Sequence, residues 1–204
     1  MLSSLPGPNR IRRLMPRVLA ARHVAAITAP LDALLHQNVL VLADDENLRY
    51  GARDLGYHLS VRRLCKCMQQ HAGPCSLHAF FSREPGDDRR CRYLGERGWI
   101  PHPRDIETVQ THRGTQRLAN SDNDLLFAAG NLASRGTADV VVLASGDGSL
   151  VCDLARNLRQ MPRGRTILTL SLAGSTSYRL DAARNPHIDG NIEIGLDCLH
   201  RRGG

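Results

Sequence analysis

The chain has 204 residues, 42% of them hydrophobic, 23% charged and 4% aromatic, with a formal net charge of +7. That length and balance suit one globular domain with a sizeable core and argue against a disordered chain. No run of roughly 18 apolar residues occurs, which argues against a membrane-spanning helix. Lys66 is the only lysine, so arginine supplies nearly all of the positive charge. Its planar guanidinium can grip two phosphate oxygens at once, so the composition is compatible with a nucleic-acid partner. Six cysteines in a chain this long are too few for a disulfide scaffold, and a reduced, cytoplasmic compartment is expected.

Residues 1–36 carry Arg10, Arg12, Arg13, Arg17 and Arg22, with no acid before Asp32. They read as a basic N-terminal arm or an extra helix, with an organelle transit peptide as the alternative. Residues 37–199 read as one domain, and 200–204 as a loose tail. Within the domain, residues 38–43 (NVLVLA) form an apolar run of the kind buried on both faces of a sheet. A helix is predicted from Leu48, broken by Gly51 and Gly56, and another over 59–71. Residues 76–81 (SLHAFF) read as a strand and 87–97 as a helix stopped by Gly98. Two prolines keep 99–103 extended. A helix follows over 125–134, closing at Gly136. Residues 139–144 (DVVVLA) are the clearest strand, followed by a helix over 150–160 and strands over 166–170 and 191–196. This alternation predicts an α/β fold in three layers, a mostly parallel central sheet with helices on both faces.

In such a sheet, ligands bind beyond the carboxyl ends of the strands, where strand order reverses. One apolar strand runs into Asp44-Asp45-Glu46-Asn47, and another into Ser145-Gly146-Asp147-Gly148-Ser149. Taken alone, Asp44 could cap the following helix and residues 146–148 could be a tight turn. Together they deliver acid to one rim, where carboxylates repel unless a cation lies between them. Hard oxygen donors without a Cys/His set suggest Mg²⁺ or Mn²⁺. Asp122-Asn123-Asp124 is a third acidic cluster, preceding a helix whose N-terminus could meet the same rim.

The segments around these acids resemble the NYN domain family of PIN-like nucleases, in its LabA-like branch. That family opens with a strand ending in D-G-E-N-L, matched by Asp44, Asn47 and Leu48, with Asp45 in the glycine's place. Its later motif S-G-D-G-D-F is matched by Ser145, Gly146, Asp147 and Gly148, with Ser149 and Leu150 departing. The intervening K-G-V-D-V-A-L-A-V-D helix is similar to residues 123–136, where Asp124 matches the first aspartate and Gly130 replaces the last acid. The resemblance covers roughly residues 38–199. It implies a PIN-like sheet and a metal-dependent endoribonuclease that hydrolyses RNA phosphodiesters with Mg²⁺ or Mn²⁺. Asp44, Asp124 and Asp147 would hold the metal, and Asn47 would orient a ligand or contact the scissile phosphate. Asp45, Asp122, Ser145 and Ser149 would support them.

Arg49, Arg53, Arg62 and Arg63 are the candidate RNA-binding residues, against the alternative of a solvated face. Aromatic residues are sparse, and Tyr50, Tyr57 and Trp99 are the candidates for base stacking. RNA is the expected partner, a membrane is not, and a homodimer is a possible assembly. Two rival readings remain: an RNA-binding module with impaired catalysis, suggested by Ser149 and Gly130, and a phosphohydrolase acting on small molecules. Cys65, Cys67, Cys75 and Cys91, with His71 and His78, lack the C-x₂₋₄-C spacing of a zinc site and are expected to be reduced and packed. Residues 174–177 (GSTS) follow a strand and read as a helix-capping turn rather than a phosphate loop.

Overall fold

Six strands lie side by side, all parallel, in one central sheet. The computed structural model describes residues 31–112, 114–119 and 121–201. β1 (Val39–Asp44) is buried along its whole length and passes directly into α1 (Asp45–Asp54). β2 (Tyr57–Leu59) and α2 (Val61–His71) lead to β3 (Cys75–Arg83), then α3 (Arg89–Gly95) and β4 (Ile100–Asp105). A hairpin of β5 (Glu107–Thr111) and β6 (Gly114–Leu118) precedes α4 (Ser121–Arg135). β7 (Val140–Ala144), α5 (Gly148–Arg159), β8 (Thr166–Leu172) and β9 (Gly190–Ile194) complete the sheet.

The alternation of side chains along each strand separates two cores. Val39, Val41 and Ala43 of β1 and Val140, Val142 and Ala144 of β7 pack with residues of α1, α2 and α3. Leu40, Leu42, Phe80, Val141 and Leu143 face α4 and α5 instead. Helices therefore cover both faces, which makes the fold the expected three-layer α/β arrangement, with a fully parallel sheet. From β1 the chain builds outward through β3 and β4, and then returns to β1's other side with β7, β8 and β9. The reversal lies between β1 and β7.

Several boundaries differ from the sequence reading. α1 starts at Asp45 rather than Leu48, because Asp44 caps it by accepting from the Asn47 backbone N–H at 3.0 Å. Gly51 does not interrupt that helix; a Cβ there would stand 3.0 Å from Leu172 Cδ1, so the glycine permits close packing on β8. Gly56, at φ 85°, turns the chain into β2 instead. α4 begins at Ser121, so its acids form the first helical turn, where the helix dipole favours them. The β5–β6 hairpin was not expected. His200 and Arg201 are not a loose tail but pair antiparallel with His58 and Tyr57 in β10 (Leu199–Arg201). The basic arm or transit peptide falls on residues that, up to 30, lie outside the described ones; Leu31 and Leu34 are already buried in the α1–α3 core. No helix among the described residues is long and apolar enough to cross a membrane.

Candidate functional site at the strand-order reversal

Register brings the two acid-bearing strand ends together. Ala43 of β1 pairs with Ala144 of β7, so Asp44 and Ser145 emerge side by side at the carboxyl rim. Both continue the Leu42 and Leu143 side of their strands, so both point toward the α4–α5 layer. Ser145 Oγ donates to Asp44 Oδ2 at 3.3 Å, although 101 residues separate them. Asp44 Oδ1 is occupied by the capping bond from Asn47.

A second bond joins the two loops: the Gly146 backbone N–H donates to Asn47 Oδ1 at 2.7 Å. Asn47 therefore acts as a clamp, contacting the partner loop's backbone. Ser145 Oγ also accepts from the Asp147 N–H at 3.1 Å. Asp147 caps α5, with Oδ1 accepting from the Ser149 and Leu150 N–H groups at 2.7 and 3.3 Å. Its Oδ2 takes no hydrogen bond from the described residues.

The electrostatics mark where the acids converge. Burial pushes Asp44 up to about 6, and the negative charges of Asp122 and Glu46 push the same way. The bonds from Asn47 and Ser145 oppose that rise without cancelling it. Asp122 is also raised, first by burial and then by Asp147 and Glu46. Asp44, Glu46, Asp122 and Asp147 thus form a like-charged group at one rim. Glu46 is held there by accepting the Ser82 backbone N–H at 3.0 Å.

Sequence reasoning chose Asp124 as the α4 ligand, but Asp122 is the α4 carboxylate whose charge reaches Asp44. Asp124, two residues on and so about 200° around the helix, lies 3.9 Å from Arg104 Nη1. Asp45 is turned to the opposite side of the sheet. It is 3% exposed and ion-paired with both Arg49 and Arg90. Ser149, where the resembling family carries an acid, accepts a bond from Arg179 Nη1 at 3.1 Å. Arg179 and Glu46 were missed; the signal for Glu46 was its place on the rim loop, and Arg179 becomes visible only once β8 is set beside β7. Arg53 stands beside Asp54 and over Tyr50, Arg62 is exposed at the start of α2, and Arg63 donates to the Asp197 carbonyl at 3.1 Å.

The 174–177 turn borders the same site. Ser175 Oγ and Thr176 Oγ1 bond back to the Leu172 carbonyl, and Ser177 caps the short 3-10 helix Tyr178–Leu180. A Cβ on Gly148 would collide with Ser177 Oγ, so this turn presses onto the start of α5. All six cysteines are free thiols. Cys65 is buried beside Gly98, whereas the Cys67 thiol is lowered by bonding to Cys198 and by His71.

Among the described residues, no three His, Cys, Asp or Glu side chains stand close enough to enclose a metal ion. The donor set is nonetheless all hard oxygen, and neighbouring acids raise both Asp44 and Asp122. This fits a Mg²⁺ or Mn²⁺ ion that keeps several waters and takes one or two carboxylates.

A solved structure of a protein of unknown function from Vibrio parahaemolyticus has the same fold. It superposes with a TM-score of 0.62 at 20% identity, covering 81% of this chain and 97% of the other. No family model and no curated protein matches the chain.

Proposed function

We propose that the chain is a metal-dependent ribonuclease of the NYN, PIN-like type, acting at the rim between β1 and β7. The observation that carries this reading is the pair Asp44 and Asp122, each raised first by burial and then by neighbouring acids, at the strand-order reversal. Gathering several acids around the buried Asp44 is unfavourable unless a cation offsets them. Asp44, Asp122 and Asp147 would hold Mg²⁺ or Mn²⁺, directly or through water. A divalent ion bound there supplies a water of lowered pKa and offsets charge on the phosphate oxygens.

The protein's own groups do the rest. Asn47 and Ser145 lock the two acid-bearing loops into one geometry through the bonds to Gly146 and Asp44. Arg179, tied to Ser149, brings a cation beside Asp147 where the resembling family has an acid. A phosphate at that rim would take its guanidinium as a clamp. The missing acid at Ser149 is thus compatible with activity that uses one metal and an arginine. Gly130 lies eight residues beyond Asp122, ~12 Å along the helix, beside Met161; an acid there would stand away from the rim. The free state of all six cysteines supports a reducing, cytoplasmic setting.

The test is cleavage of end-labelled RNA with Mg²⁺ or Mn²⁺. Wild type cuts and EDTA stops it, whereas Asp44→Asn and Asp147→Asn do not cut. Equal cleavage by all three proteins contradicts the proposal. RNA binding without metal-dependent cleavage would select the catalytically impaired binding module instead.

A further inference from the structure

One face of α1 connects the acid rim to a second feature. Glu46, Arg49, Tyr50 and Arg53 fall at the i, i+3, i+4 and i+7 positions, a single stripe along the helix. The stripe begins in the acid group, since the charge of Glu46 raises both Asp44 and Asp122. It is tied together by the Tyr50 hydroxyl, which donates to Glu46 Oε1 at 3.4 Å. Beyond Tyr50 the stripe forms one wall of a groove of about 550 Å³, which α3 closes with Arg90 and Tyr93. His58 and His200, paired across β2 and β10, complete it.

The chemistry of this groove is specific. No acidic residue is among its lining residues, while Arg49, Arg53 and Arg90 are. Asp45 lies beneath as a buried anchor that two of these arginines share, so one carboxylate holds two guanidinium groups in place and leaves net positive charge. Two of the chain's four tyrosines stand here, Tyr50 and Tyr93, 44% and 36% exposed as residues. Guanidinium groups lie over both: Arg53 at 4.8 Å from the Tyr50 centroid and Arg97 at 3.8 Å from that of Tyr93. Exposed rings among preorganised arginines, without sequence-reading amides, are what binds unpaired bases and their phosphates. A duplex, whose bases are already stacked on each other, could not use the rings.

We infer that this groove is the track along which single-stranded RNA enters the acid rim, with bases stacking on Tyr50 and Tyr93 and phosphates held by Arg49, Arg53 and Arg90. The inference rests on the ribonuclease reading for its substrate class. It adds that the substrate is unpaired and that strand and site are joined along α1.

The experiment measures fluorescence anisotropy of a labelled, unstructured 12-nucleotide RNA with the full chain in EDTA, where no metal-dependent cleavage occurs. Wild type binds the single strand and binds the same sequence as a blunt duplex more weakly. Tyr50→Ala and Tyr93→Ala each weaken single-strand binding by about fivefold or more, while Tyr50→Phe and Tyr93→Phe retain it. With Mn²⁺ added, the alanine variants raise KM and keep kcat. The inference is overturned if wild type does not bind, if the alanine variants bind like wild type, or if the duplex binds as tightly as the strand. The ribonuclease reading fails separately: tyrosine-dependent binding with no cleavage keeps the groove and removes the nuclease, and cleavage with unchanged KM in the alanine variants does the reverse.

Discussion

Asn47 accepts the backbone N–H of Gly146 at 2.7 Å, joining the loop that follows β1 to the loop that follows β7. These are the two central strands at which the sheet reverses its order. Asn47, together with the Ser145 hydroxyl that bonds both Asp44 and the Asp147 N–H, therefore sets the spacing between Asp44 and Asp147.

Replacing Asn47 with Ala removes that acceptor and leaves the Gly146 N–H without its partner. The expected cost is about 1–3 kcal/mol of stability. RNA cleavage should fall about 10–100-fold, because the two acids lose their fixed separation. Asn47→Asp keeps an acceptor oxygen and should melt closer to wild type. Thermal melting of the two variants checks the order; equal melting temperatures for Asn47→Ala and wild type would contradict the clamp.

Asp44 should make the protein less stable as pH rises. In the folded chain its carboxyl is pushed up to about 6 by burial and neighbouring acids, against an ordinary value of 3.8. Between those values the folded state holds more protons than the unfolded one, so stability falls as pH increases through the window. Above about pH 6 the full penalty stands, of order 3 kcal/mol. Asp44→Asn keeps the capping oxygen and carries no charge. Without divalent cations it should melt roughly 5–10 °C above wild type at pH 7.5, with the difference gone near pH 4. An asparagine variant less stable than wild type at pH 7.5 contradicts this.

The layered fold was legible because residues 38–43 and 139–144 are so apolar that only a sheet buried on both faces accommodates them. That both runs deliver polar residues to one rim was legible for the same reason, whereas the adjacency of β1 and β7, which sets Asp44 beside Ser145, was not. Other features carried no such signal. The strand ETVQT of β5 is exposed and has no alternation, so its pairing with β6 rests on backbone bonds that composition does not reveal. The choice between Asp122 and Asp124 depended on where α4 begins, since two residues turn a side chain to the other side of a helix. The role of Asp45 depended on Arg90, 45 residues away, and on the sheet face that alternation assigns it.

Asp45 and Arg90 give a stability prediction independent of any activity. Arg90→Ala leaves the buried Asp45 with Arg49 as its remaining ion-pair partner, and should cost about 3 kcal/mol. Asp45→Asn should cost less, because the amide is neutral and both arginines are partly exposed and can turn to water. Urea unfolding of the two variants tests the order, and a smaller loss for Arg90→Ala contradicts it.

Gly148 is required by space. A Cβ there would collide with Ser177 Oγ and stand 2.8 Å from Ser177 Cβ. Gly148→Ala should displace the 174–177 turn and cost about 1–3 kcal/mol. Adding Ser177→Gly removes the opposing atoms and should recover most of that loss. A double variant no more stable than Gly148→Ala contradicts the contact.

Calorimetric titration of Mn²⁺ into the full chain at pH 7.5 probes the acid rim most directly. Saturable binding of one ion to wild type, lost in both Asp44→Asn and Asp147→Asn but kept in Asp153→Asn on the exposed side of α5, is the expected result. Undetectable binding to wild type, or binding unchanged by the two rim substitutions, would contradict a cation site between β1 and β7.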